Sequence, residues 1–442
     1  MSVWRSGGLI ERYARPEMAA LFTDEARFSA MLEVELLATE ALAALGVVPA
    51  EDAATARARA PEITPAVVAE IEARERVTDH DTAAFVDVIA SSIGSPAGKW
   101  IHYGLTSADV VDTAQCAILT KAADVLCGAL DRLIATLKTR AQEFRHTPTV
   151  GRTHGIHAEP TTFGAKLALW CLQADRDRRR LRAARAAIAV GKLSGAVGTY
   201  SNIDPAIEAS VCAALGLTPV PATQVIARDR HAELLYACAA IGTTIELMAT
   251  EIRHLQRTEV GEASEPFRAG QKGSSSMPHK RNPVKSEQLS GQARVLRGYL
   301  GAALEDVALW HERDISHSSV ERIILPDACI LAHYMLVTCE RLIGGLVVDA
   351  PRMLANFDLS YGLVFSQPVL LALVAAGMPR DDAYRIVQRD AQRAWDERRP
   401  FRAILEEDPD VTVKPETLDE AFDLERSLRH AHRTIDALED VA

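Results

Sequence analysis

The densest chemistry in the 442-residue chain lies in Gly270-Gln-Lys-Gly273-Ser274-Ser275-Ser276-Met277-Pro278-His279-Lys280-Arg281-Asn282-Pro283. Glycines, three serines, an asparagine and four basic residues counting His279 stand together between long apolar-periodic stretches. Such a loop is rich in backbone N–H and hydroxyl donors, and its prolines restrict its conformations. That is the make-up of an anion cradle, in which oriented amides stabilise charge developing in a transition state. A flexible Ser/Gly linker shares part of the composition, but Lys280 and Asn282 clustered between two prolines favour the cradle.

Two further places carry reactive side chains. His154 and His157 stand three residues apart in Gly151-Arg152-Thr153-His154-Gly155-Ile156-His157. A histidine suits proton transfer near neutral pH. The pair has no third or fourth ligand partner and no HExxH pattern, so no metal is expected. Thr106 and Ser107 open a long apolar-periodic stretch, where hydroxyls cap helices and where a helix N-terminus attracts carboxylate. The run Arg178-Arg179-Arg180 lies inside Ala- and Leu-rich helical sequence and reads as a solvated or inter-helix face.

The elements that must hold these residues are marked by proline. None occurs between Pro96 and Pro148, Pro160 and Pro205, Pro221 and Pro266, or Pro283 and Pro326. Helix interiors exclude proline, so each interval predicts long helix. In the first, Val111, Ala114, Ile118, Ala122, Val125, Leu126, Ala129, Leu130, Leu133, Ile134 and Leu137 recur at three- and four-residue steps, an apolar stripe interrupted by Gly128. Strand-type alternation is scarce. The expectation is an all-α protein of three helical domains: residues 1–105, a central bundle of long helices over 106–350 broken at Asp349-Ala-Pro351, and a helical cap over 351–442. A helix of 30 to 40 residues spans roughly 45 to 60 Å, more than one compact domain covers, so an oligomer is expected.

Composition narrows the class. Apolar residues make up 48% and charged residues 25%, as in globular proteins. The net charge of −11 argues against a nucleic-acid surface, although a cleft of focused cations can bind anions on an acidic protein. Met1-Ser-Val-Trp-Arg-Ser-Gly-Gly lacks the apolar core of a secretory signal, and no uninterrupted apolar run reaches spanning length. No membrane partner is expected. Seven scattered cysteines without a CxxC pair fit buried thiols in a reducing compartment, so the cytoplasm is expected.

The 270–283 string resembles the GSSxMPxKxNP signature of the fumarase/aspartase superfamily. Within it, Ile10-Glu11-Arg12-Tyr13-Ala14-Arg15-Pro16-Glu17-Met18 is similar to the RYxRPEM block of the adenylosuccinate lyase family. So are Asp79-His80-Asp81, the run from Lys99 to Asp109, Gly151 to Pro160, Thr223-Gln224, and Trp310 to Arg322; Ala108 and Ser276 sit where the family pattern varies. The resemblance spans essentially the whole chain. It implies an all-α fold with a core of long helices, a homotetramer with sites shared between subunits, and nucleotide substrates that lose fumarate without a cofactor. It implies Ser274 as the base and His154 as the acid. Lys280 and Asn282 would hold the substrate carboxylate, and Arg12 with Tyr13 the nucleotide phosphate. His80 and His102 would orient the succinyl and phosphate ends, and Asp79 and Asp81 would also bind substrate. Thr106 and Ser107 would meet a succinyl carboxylate, Gln224 substrate oxygens, and Arg313, Ser318 and Arg322 further parts of the substrate. Sibling lyases acting on argininosuccinate or carboxymuconate are disfavoured, because those substrates carry no phosphate for the Arg12-Tyr13 block.

Overall fold

The computed structural model describes residues 9–441, so the N-terminal stretch read for a signal segment lies outside the described residues. The protein is all-α. Its longest helices are Ser107–Glu143, Phe163–Ile188, Asp229–Leu255, Val284–Glu305 and Ser316–Gly344. The first follows the expected stripe: Ala114, Ala122, Leu126, Ala129, Leu130, Leu133, Ile134 and Leu137 are all buried. Burial of each Leu or Ile side chain contributes about 1.5 to 3 kcal/mol, enough to outweigh the roughly 1 kcal/mol cost of Gly128 in mid-helix.

The last proline-free interval differs from expectation. The chain leaves the helix after Glu305 and re-enters at Ser316, and the second helix then runs straight through Pro326. Pro326 has no N–H to offer the carbonyl of Arg322, a loss of roughly 3 kcal/mol in an exposed helix. Here Leu325, Ala328, Cys329, Ile330, Leu331 and Ala332 are all buried around it, and packing overrides propensity.

By length and composition alone, Asp229–Leu255 and Ser316–Gly344 are long and apolar enough to cross a membrane, although neither is an uninterrupted apolar run. Their most apolar stretches are already 67% and 89% buried within the protein, as in helices that build a core. All seven cysteines are free, and all but Cys127 are buried.

Contacts divide the chain into two compact units, and the division falls within all five of these long helices. One unit comprises residues up to 131, 176–245 and 291–338. Its core is organised by Asp24–Ala44, whose N-terminal Ala26 N–H is capped by the Thr23 hydroxyl at 3.1 Å. Phe28, Met31, Leu32, Leu36 and Leu42 bury one face of that helix, and the Phe28 ring stacks on Phe85 at 5.6 Å.

The other unit comprises residues 132–175, 246–290 and 339–442. Val369, Leu373, Phe401, Ile404 and Leu405 form one core cluster, and Val150, Phe357 and Val364 another. Val150 belongs to an antiparallel hairpin, Pro148–Thr153 with Ile156–Thr162, the longest strand pairing among the described residues. The sequence reading contains no such hairpin. Its bulge at Gly151 explains the broken alternation: a Cβ there would lie 2.7 Å from the Glu159 carbonyl oxygen.

Candidate active site

In the first unit a cavity of about 280 Å³ brings together His80, Asp81, Thr106, Ser107, Gln224, Arg313, Ser318 and Arg322, eight of the sequence-predicted residues. Asp79 takes a left-handed conformation (φ 52°) that ends the helix Pro65–Thr78, and the chain turns directly into Asp81–Ile93. His80 caps this second helix, its Nδ1 accepting the Ala83 N–H at 3.3 Å. Asp79 itself is exposed and lies outside the cavity lining.

Asp81 is clamped by two guanidinia, accepting Arg322 Nη2 at 2.6 Å with Arg27 Nη1 at 3.6 Å. Burial would raise its carboxyl, but Arg322 and Arg27 overcome that and hold it at about 2. Thr106 precedes the helix Ser107–Glu143, and the Asp109 side chain caps the Thr106 N–H at 2.9 Å, so capping is done from inside the helix while Thr106 and Ser107 face the cavity. Gln224 is held by its own carbonyl, which accepts the fully buried Lys192 ammonium at 2.8 Å.

The floor of the cavity is a buried charge network. Arg228 makes two bonds to Asp112, at 2.7 and 3.0 Å, and an ion pair with Glu321 at 2.8 Å. Its charge is thereby secured despite burial, and Asp112 and Glu321 are both held below the usual carboxylate range. Four arginines (27, 228, 313, 322) thus face three carboxylates (81, 112, 321), one net positive charge inside a chain of −11. Anions are favoured there.

His102 is fixed from behind. The fully buried Glu35 accepts its backbone N–H at 2.8 Å and pairs with Nδ1 at 2.6 Å. Burial alone would lower the imidazole, but the Glu35 bond and charge raise it above its ordinary value. Arg12 is exposed on the short turn Glu11–Tyr13, and the Tyr13 ring packs edge-on to Tyr334 at 5.2 Å; neither residue lines the cavity.

The second unit carries the proposed acid and base. His154 and Gly155 have φ of 55° and 79° and form the two-residue turn of the hairpin, with Thr153 opposite Ile156. Positive φ at both centres is the turn type that matches strand twist, and it projects His154 from the tip. Below it, Arg152 bonds both oxygens of the fully buried Glu262 at 2.6 and 3.0 Å, and Thr149 and Asn356 bond the same carboxylate. Burial and then Arg152 lower the His157 imidazole.

In the signature loop the Ser274 Oγ accepts two backbone N–H groups, from Met277 at 3.2 Å and Ser276 at 3.3 Å. The loop folds back so tightly that a Cβ at Gly273 would sit 2.1 Å from the Lys280 carbonyl oxygen. Asn282 closes it, donating one amide hydrogen to the Gly273 carbonyl at 3.0 Å. Lys280 is exposed.

Comparison with known proteins bears on this arrangement. Residues 11–298 match the family described as Lyase, and residues 362–438 the family described as Adenylosuccinate lyase C-terminus. The adenylosuccinate lyase of Bacillus subtilis (strain 168) is 50% identical over 96% of this chain and 97% of its own. The chain belongs to the adenylosuccinate lyase family. The adenylosuccinate lyase of Synechocystis sp. is 49% identical over 95% of this chain and 97% of its own. Among solved structures, a fumarate lyase from Mesorhizobium sp. BNC1 superposes with a TM-score of 0.88 at 28% identity, covering 97% of this chain and 99% of that one. A 3-carboxy-cis,cis-muconate lactonizing enzyme from Pseudomonas putida reaches 0.85 at 30% identity, with 96% of each chain covered. The chain thus shares its fold with these two enzymes at 28% and 30% identity, well below its identity to the adenylosuccinate lyases.

Sequence reasoning misses several residues of this family member's site. Arg27 and Arg228 stand in no motif and gain meaning only from Asp81 and Asp112, distant in sequence. Glu35 leaves a legible signal: it falls on the apolar stripe of Phe28, Met31, Leu32, Leu36 and Leu42, where an unpaired charge would be costly.

Proposed function

We propose that this family member cleaves the C–N bond of adenylosuccinate, releasing fumarate and AMP, and likewise the succinyl-carboxamide ribotide of purine synthesis. Ser274 takes the proton from the succinyl carbon beside the carboxylate. The electron pair left behind forms the C=C bond as the C–N bond breaks, and His154 delivers a proton to the departing nitrogen. Lys280, Asn282 and loop amides hold the carboxylate on which charge accumulates. Arg12 and Tyr13 take the phosphate, and His80, Asp81, His102, Thr106, Ser107, Gln224, Arg313, Ser318 and Arg322 hold the rest of the substrate, with Asp79 turning the chain between them.

The cavity carries this reading. Eight residues from separate stretches of sequence meet around a net cationic space, which suits a substrate bearing phosphate and two carboxylates. The two N–H groups on Ser274 Oγ support its role, since they would stabilise the alkoxide a serine base requires.

The assembly we propose is a homotetramer with sites completed between subunits. Leu169, Tyr236, Leu247, Val295, Leu304 and Ile323, on four of the long helices, remain exposed on the single chain, apolar surface that association would cover. Its compartment is the cytoplasm. The test is fumarate release by purified protein from adenylosuccinate, the succinyl-carboxamide ribotide and argininosuccinate. Turnover of both nucleotides and none of argininosuccinate is expected; the reverse pattern would overturn the substrate assignment.

A further inference from the structure

Arg313 differs from the other cationic groups of the cavity in what holds it. Arg322 and Arg27 share Asp81, and Arg228 is paired with Asp112 and Glu321. No carboxylate lies within ion-pair distance of Arg313 among the described residues. Instead its Nε donates to His317 Nε2 at 3.3 Å and its Nη1 to Gln224 Oε1 at 3.1 Å.

The state of His317 follows from its neighbours. Nε2 faces a guanidinium N–H, so it must offer a lone pair. Nδ1 lies 3.1 Å from Glu321 Oε2 and 3.3 Å from Arg228 Nη2. With Nε2 bare, the single ring proton sits on Nδ1 and points at the nearer Glu321 oxygen, so in this tautomer the Arg228 Nη2 approach is a contact and not a hydrogen bond. His317 thus presents a lone pair to Arg313, and its ring is oriented by Glu321 four residues along the same helix.

We infer that His317 is a positioning residue that orients Arg313 without neutralising it. Arg313 lies in the segment between Glu305 and Ser316, where the chain has left the helix, and needs tethering. A carboxylate would tether it and cancel its charge. A neutral acceptor tethers it and leaves the full charge for an anionic oxygen of the substrate. The buried ion pair Arg228–Glu321 thus sets a side chain in the cavity through His317. This rests on the proposed contact of Arg313 with substrate.

Steady-state kinetics on His317→Asn, His317→Gln, Arg313→Ala and the double variant His317→Asn/Arg313→Ala test it. The Asn amide can still donate towards Glu321 but presents no acceptor to Arg313, and KM should rise about tenfold. The Gln amide oxygen can take the place of Nε2, so KM should stay within about threefold of the parent. In the Arg313→Ala background the Asn change should add nothing, because the group it positions is gone. Equal KM increases in both backgrounds, or an unchanged KM for His317→Asn, would overturn the inference. An unchanged KM for Arg313→Ala would instead remove the substrate contact on which it rests. Should His317→Asn not fold, Arg313→Lys keeps the charge but lacks the planar fork that reaches His317 and Gln224 together; a tenfold rise in KM is expected there too, roughly one charge-assisted bond, and parent KM would overturn the proposal.

Discussion

The hydroxyl oxygen of Ser274 accepts the backbone N–H of Met277 at 3.2 Å, three residues along the same loop. The Ser276 N–H joins it at 3.3 Å, so the oxygen proposed as the base already faces two fixed donors. Gly273 and Asn282 make this possible by closing the loop on itself, one through the absence of a Cβ and the other through its amide. If Ser274 is the base, as proposed, the loop's own backbone supplies donors for its alkoxide.

Glu35 should set the pH range over which His102 works. In Glu35→Gln the carboxylate that raises the imidazole is lost, so the rise of KM with pH should begin at lower pH than in the parent. The sign for stability follows from the same shift. A histidine raised in the folded state stabilises fully below its unfolded value of 6.5 and loses that contribution as pH climbs through the folded value. The deficit in thermal midpoint of Glu35→Gln should therefore be largest at pH 6 and shrink above neutrality. An unmoved KM profile would show that His102 does not hold substrate as a cation.

His231 should limit stability in mild acid. It is buried, donates from Nε2 to Gln115 Oε1 at 3.1 Å, and is pushed down to about 4 by burial and by Arg228. The unfolded chain binds its proton near 6.5 and the folded one only near 4, so stability falls as pH drops through that window, by up to about 3 kcal/mol. His231→Gln can keep the N–H to Gln115 without a titrating ring. Its thermal midpoint should fall less than the parent's between pH 7 and pH 5; identical pH dependence would contradict the assignment.

Subunit mixing tests the shared site. His154→Ala and Ser274→Ala should each be inactive, and dissociating and reassembling an equal mixture should restore about one quarter of sites in a symmetric tetramer. Mixed oligomers without activity would mean that both residues of a site come from one chain.

What the sequence made legible was the helical periodicity and the local motifs. The stripe from Ala114 to Leu137 reads directly as one buried face because a single period governs it. The His154 hairpin escapes, since its bulge at Gly151 interrupts the alternation by which strands are recognised. The motif residues His80, Thr106, Gln224 and Arg322 do converge on one cavity. Arg27 and Arg228 stay hidden because their meaning is a partner more than 50 residues away, Asp81 and Asp112, while Glu35 shows as a charge on an apolar stripe without revealing its partner His102. Pro326 misleads for the opposite reason, as a strong local rule overridden by burial on every side.

The most direct measurement of the central claim is adenylosuccinate turnover by Ser274→Ala, with nucleotide binding measured by calorimetry on the same preparation. A general base contributes roughly 10²- to 10⁴-fold, so fumarate release should fall by that order while affinity stays within a small factor, the hydroxyl acting only in the transition state. Turnover close to the parent rate with unchanged affinity would mean that another group removes the proton and that Ser274 is not the base.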